Sequence, residues 1–203
     1  MPKLKLIAAL MLIATFVVSC KKSNDDNTNP AVCTNNTQWI HNGYKLTYVN
    51  DPIFISADSL YISFQDVTGG IFRSTTQFDD GSLYPTSSSY MQPCGNSIYS
   101  DTATDMAHKQ ELYRLDGNVG DSWVYTGTSQ LGNTITVTTT IAAKNVSVTV
   151  PAGTFTTMRL HQLTHSSNPA QPDTQLDTYL DPHYGPVKVS GDYVSYRLAH
   201  ANF

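Results

Sequence analysis

The side chains that could do chemistry are few, and most lie late in the chain. Asp177, Asp181 and His183 stand two or four residues apart, and His161 and His165 are separated by four. The second pair falls in a stretch that reads as a strand, where a period of two puts both rings on one face. Imidazoles and carboxylates grouped this way are zinc ligands. Asp181 and His183 are the weak metal candidates, because the turn at Pro182 would fold them together; a metal-dependent hydrolase would be built on them. Strand residues four apart, however, are spaced about 13 Å, too far to share one ion without a bulge. The chain has no G-x-S-x-G elbow, no H-E-x-x-H, no phosphate-cradling glycine loop and no C-x-x-C. By elimination the expectation is a protein that is not an enzyme, with no catalytic residue, no resident metal and no cofactor.

The N-terminus determines compartment. Lys3 and Lys5 precede an apolar run from Leu6 to Val18, and a small residue, Ser19, stands just before Cys20. The run is shorter than the roughly 20 residues a membrane-spanning helix needs, so residues 1–19 read as a secretory signal peptide. Val17-Val18-Ser19-Cys20 resembles the lipobox of bacterial lipoproteins. That resemblance implies cleavage before Cys20 and acylation of its thiol; a plain signal with an incidental cysteine is the alternative. Residues 20–32 are polar and charged and form a flexible tether. Lys21 stands where an Asp would retain many lipoproteins at the inner membrane, so the expected site is the outer membrane, on its periplasmic or cell-surface face. The acidic Asp25-Asp26 behind Lys21-Lys22 also resembles the surface-export signal of Bacteroidota lipoproteins; a solvated linker explains it equally well.

The chain has 203 residues and a net charge of −4. Loss of Lys3 and Lys5 with the leader leaves the remainder more acidic still, which argues against nucleic acid as a partner. Residues 33–203 are long enough for a single β domain with a real core. Once Cys20 is spent on lipid, Cys33 and Cys94 remain as an even pair. In an oxidising envelope they read as a disulfide, with two buried thiols as the alternative. The flanks of Cys94 supply no base for a catalytic thiol.

Alternation organises the rest. Tyr44, Leu46 and Tyr48 share one face; Leu60, Ile62 and Phe64 repeat the pattern, and Thr68-Gly69-Gly70 turns into a second strand at 71–78. Residues 82–108, with Pro85, three serines and Pro93, read as loop with one short strand near Ile98 and a helical turn at Thr104–Lys109. Between 132 and 150, Ile135, Val137 and Ile141 share a face, as do Val146, Val148 and Val150, with Ala142-Ala143-Lys144 as a turn or bulge between two strands. Strands at 154–164 and 174–180 and a closing hairpin around Ser190-Gly191-Asp192 follow. No segment keeps a 3.6-residue apolar period. The expected class is all-β: a curved antiparallel sheet, half-barrel or open barrel, with little helix apart from the signal peptide.

Three stretches carry a resemblance: Gly117-Asn118-Val119-Gly120-Asp121-Ser122-Trp123-Val124-Tyr125, Val150-Pro151-Ala152-Gly153-Thr154-Phe155, and the run from Tyr179 to Lys188. Together they resemble secreted Bacteroidota lipoproteins of unknown function, with a C-terminal part similar to half-barrel periplasmic lipoprotein carriers. The resemblance implies an architecture and no active site. If the half-barrel holds, its concave face is a candidate groove lined by Trp123, Tyr125, Ile135, Val137, Ile141, Val146, Val148 and Val150, suited to an apolar or glycan ligand. The plainer reading has that face covered by the chain itself, with 82–108 as the plug, leaving a structural or partner-binding envelope lipoprotein. Asp58-Ser59-Leu60 and Asp101-Thr102-Ala103 resemble the short motif that Bacteroidota O-glycosylate.

Overall fold

The structure, a computed structural model, describes residues 33–50, 59–79, 86–129 and 131–202. The signal peptide, Cys20 and the tether lie outside the described residues, as does Asp58. Alternating β-branched, aromatic and hydroxyl side chains become twelve strands: β1 (Lys45–Asn50), β2 (Ser59–Thr68), β3 (Ile71–Phe78), β4 (Ser87–Cys94), β5 (Ser97–Asp101), β6 (Gln110–Arg114), β7 (Ser122–Thr128), β8 (Thr134–Val150), β9 (Gly153–Ser166), β10 (Thr174–Asp181), β11 (Gly185–Gly191) and β12 (Ser195–Asn202). No helix occurs among the described residues. All twelve belong to one antiparallel sheet, in the order β6-β5-β4-β3-β2-β1-β12-β11-β10-β9-β8-β7. This is a meander curled into a nearly closed barrel. The first and last strands pair in its middle (Leu46 with Ala201, Tyr48 with Leu198), and the two free edges, β6 and β7, are consecutive in the chain.

Two expectations need correction. Residues 87–101 are the paired strands β4 and β5, and Thr104–Lys109 makes turns without a helix. The serine run has little strand propensity of its own; its ladder to β3, from Thr76–Ser87 to Phe72–Met91, overrides that. Pro93 lies past Met91, the last β4 residue paired with β3, where a missing N–H is tolerated. Residues 134–150 are one strand of 17 residues. Its register shifts twice, around Ala143, and Asn145 takes φ 57°, so the Ala142-Ala143-Lys144 signal is a bulge. β9 runs alongside both halves and keeps them continuous.

The barrel interior is filled. Trp39, Ile40 and Tyr44, in the segment leading into β1, are 1%, 0% and 1% exposed and pack with Leu46, Phe64, Ile141, Leu160, Leu180, Val187 and Leu198 in one cluster. The inward plug is therefore residues 37–44, not 82–108. Its entry is tied to the β4–β5 turn by the Cys33–Cys94 disulfide (Cα–Cα 4.4 Å) and by a bridge between Asn35 and Gly95. The Asn35 side chain then shapes the plug: its Oδ1 accepts from Thr37 N (2.9 Å) and Thr37 Oγ1 (2.7 Å), and its Nδ2 donates to Ile40 O (2.9 Å). Trp39 ends up against Phe64 and Tyr113, with ring centroids at 5.8 and 6.2 Å.

Candidate interaction surface

The candidate groove residues do share the inner face, and the plug reaches that face first. Ile135 and Ile141 are 1% and 0% exposed, and Val148 and Val150 are 9% and 6%. Ile141, Val148 and Val150 belong to the core cluster, and Trp123 and Val146 pack against it. Val137 and Tyr125 are half-buried. The inner phenols are held neutral: burial, then Tyr184 and Asp181, pushes Tyr44 up to about 12, and burial raises Tyr48 and Tyr113 as well. Tyr48 donates its O–H to Pro186 O at 2.7 Å. A cavity of about 250 Å³ opens beside the β8–β9 turn, lined by Ala152, Phe155, Leu198, Ala199, His200 and Ala201.

The metal candidates come together only in part. Asp181 Oδ1 lies 3.7 Å from His183 Nδ1 and also accepts the backbone N–H of His183 (2.8 Å) and Tyr184 (3.2 Å), so this carboxylate shapes the β10–β11 turn. His161 and His165 share an outer face, and each takes its own carboxylate: His161 meets Asp177 at 2.9 Å, directly across the β9–β10 ladder, and His165 meets Asp173 at 2.7 Å. Among the described residues no three His, Cys, Asp or Glu converge as a metal site would require.

What sequence reading missed is the seam and the wall beside it. No ladder joins β6 to β7. Side chains span the gap instead: the Trp123 indole N–H donates to Glu111 O at 2.8 Å, and the Arg114 guanidinium sits 4.9 Å over the Trp123 ring. Glu111 holds Arg114 at 2.6 Å and accepts from Ser97 Oγ at 2.6 Å. Burial pushes the Glu111 carboxyl up, but the hydrogen bonds from Arg114 and Ser97 outweigh it and leave it below the usual carboxylate range. Strand β7 itself, Ser-Trp-Val-Tyr-Thr-Gly-Thr, has no charge and no proline, the usual guards of a free edge. Its outward Val124 is 61% exposed and lies in one cross-strand row with Thr138 of β8 and Leu163 of β9, the latter 38% exposed. Val119 and Leu131, at the two ends of β7, are also exposed. Four of the six exposed large apolar side chains among the described residues thus gather on or beside β7. The signal in the sequence was the residue between the inward aromatics, Val124, where alternation calls for a polar side chain.

No family model and no curated protein sequence matches the chain. Two solved structures share the fold. One is a protein assigned as exported, with a YmcC-like fold, from Bacteroides fragilis; it is 11% identical, with a TM-score of 0.55 over 81% of this chain and 97% of that one. The other is a protein assigned as a lipoprotein from Parabacteroides distasonis; it is 10% identical, with a TM-score of 0.53 over 84% and 99%. At such identity the likeness is one of fold, and it spans nearly the whole of both relatives: the chain shares its fold with these Bacteroidota proteins.

Proposed function

We propose that the protein is a lipid-anchored lipoprotein of the cell envelope, held to the outer membrane through Cys20, that acts as a partner-binding module and not as a carrier with its ligand inside the barrel. The filled lumen carries this reading. Trp39, Ile40 and Tyr44 occupy the concave face that a lipid tail or sugar chain would need. The cavity beside the β8–β9 turn, at about 250 Å³, falls below the 300–1,000 Å³ of ordinary ligand sites. The partner-facing surface is the charge-free row Val124–Thr138–Leu163 on the outer wall from β7 to β9, where an apolar sheet face of another envelope protein would lie. The protein is non-catalytic in this reading, because Asp181 is committed to its turn and the His–Asp pairs stand apart. Proteins of this fold, one assigned as exported in Bacteroides fragilis and one assigned as a lipoprotein in Parabacteroides distasonis, support the compartment.

The test is a photo-crosslinking amino acid placed at position 124 or 163, and at position 73 on β3 as a control, in the protein's own host. A discrete crosslinked protein at 124 and 163, absent at 73, is the expected result. Native mass spectrometry of protein extracted from the same cells should show no small-molecule adduct. A stoichiometric lipid or glycan would overturn the reading in favour of a ligand carrier.

A further inference from the structure

The outer wall formed by β8–β12 carries a second, chemically opposite surface. Registered pairing sets Arg159 of β9 against Tyr179 of β10, Tyr179 against Lys188 of β11, and Lys188 against Arg197 of β12. Directly paired residues point the same way. Their neighbours Leu160, Leu180, Val187 and Leu198 are buried in the core, so this row faces outward. On β8, Ala143 pairs with Arg159, and the exposed Lys144 follows it in the bulge. Lys144, Arg159, Lys188 and Arg197 are four of the eight Lys and Arg among the described residues, gathered in one band across five adjacent strands. At 4.7–4.9 Å per strand the band is about 19 Å wide. Asp177 is the acidic residue at its border, and it is shared: its Oδ1 is taken by His161 at 2.9 Å, while Arg159 reaches its Oδ2 only at 4.0 Å. Arg159 Nε is buried and has no hydrogen-bond partner among the described residues. Lys188 Nζ rests over the Tyr179 ring at 5.5 Å.

Such concentration in an acidic chain is not what solubility asks for, which is signs interspersed over the surface. We propose that the band of Lys144, Arg159, Lys188 and Arg197 around Tyr179 is the face with which the protein lies on phosphate-bearing lipid headgroups. The chemistry fits a headgroup layer. The band is broad, with cations on neighbouring strands. Its guanidiniums match phosphate oxygens in bidentate fashion. A tyrosine at its centre has the apolar body and polar tip favoured at a membrane interface. The orientation leaves the β7 row on a different part of the wall, available to a partner. This inference uses the folded surface alone and holds whether or not Cys20 is acylated.

The experiment uses the chain from residue 20 on, which contains every described strand, with Cys20→Ser so that no acyl chain contributes. It is co-sedimented at low salt with vesicles of pure phosphatidylcholine and with vesicles of equal parts phosphatidylcholine and phosphatidylglycerol. The expected result is binding at least about tenfold tighter to the anionic vesicles, weakening as salt rises through the range where surface charges are screened. Arg159→Glu with Lys188→Glu should abolish that preference. Lys144→Glu with Lys188→Glu, which spares the buried Arg159 Nε, serves as the second variant should the first misfold. Arg73→Glu with Lys109→Glu, on the opposite half of the sheet, should keep the preference. Equal binding to both vesicle types, or equal loss in the β3 and β6-side control, would overturn the proposal. So would band-dependent binding of inorganic phosphate without vesicle binding, since it would assign these residues to a free anion.

Discussion

Gly185 and Trp39 should behave as one unit, and their coupling tests whether the barrel is plugged as described. Gly185 takes φ 85°, and a Cβ built there would lie 2.7 Å from Trp39 Cδ2 and 2.9 Å from Trp39 Cε3. Gly185→Ala therefore meets two separate costs. The left-handed backbone costs an L-residue about 1–2 kcal/mol. Forcing a methyl into a packed core costs about 1–3 kcal/mol more. Trp39→Leu removes the six-membered ring that faces Gly185 while leaving an apolar side chain in the plug. In that background only the backbone cost should remain, so the double-mutant cycle should return a coupling of about 1–3 kcal/mol, the overpacking cost, which lies within the roughly 0.5–3 kcal/mol found for residues in contact. The assay is equilibrium urea denaturation of the purified, oxidised protein with all four members of the cycle. With slopes of about 1–3 kcal/mol per molar urea, the expected coupling moves a midpoint by a readily measured amount. If Gly185→Ala costs the same in both backgrounds, Trp39 does not sit under Gly185 and the plug is wrong.

Further outcomes follow from the same structure. Reducing the Cys33–Cys94 bridge, or replacing both residues by Ser, should destabilise the protein by about 4 kcal/mol on the loop-entropy model for a separation of 61 residues, read as a lower unfolding midpoint under reducing conditions. Glu111 titrates below its ordinary range when folded, so its share of stability is present above the unfolded-state pKa and is lost as pH falls through the folded one. Acid unfolding of Glu111→Gln should accordingly show a weaker pH dependence than wild type, together with a loosened seam seen as greater quenching of Trp123 fluorescence. Cys20→Ala should move the protein from the membrane fraction to the soluble one in its host, and wild type found wholly soluble would refute the anchor.

Much of the architecture is written locally. Period-two alternation around Leu46, Phe64, Ile135 and Leu160 specifies strands and their inner faces, because a half-buried strand exposes only every second side chain to water. The leader's charge and length and the cysteine before the tether specify a compartment, and the even pair Cys33–Cys94 follows from that compartment's chemistry. What the chain could not state locally depends on neighbours far off in sequence. The serines of β4 are strand only because β3 pairs with them. Ala142-Ala143-Lys144 bulges instead of turning because β9 spans both halves of β8. The concave face is closed by Trp39 and Ile40, whose polar flanks Thr37 and His41 hide their burial, since Asn35 gathers the plug through hydrogen bonds that alternation cannot encode. The surfaces are more hidden still. Arg159, Tyr179, Lys188 and Arg197 are spread over almost forty residues of sequence, and only the register of four strands places them side by side.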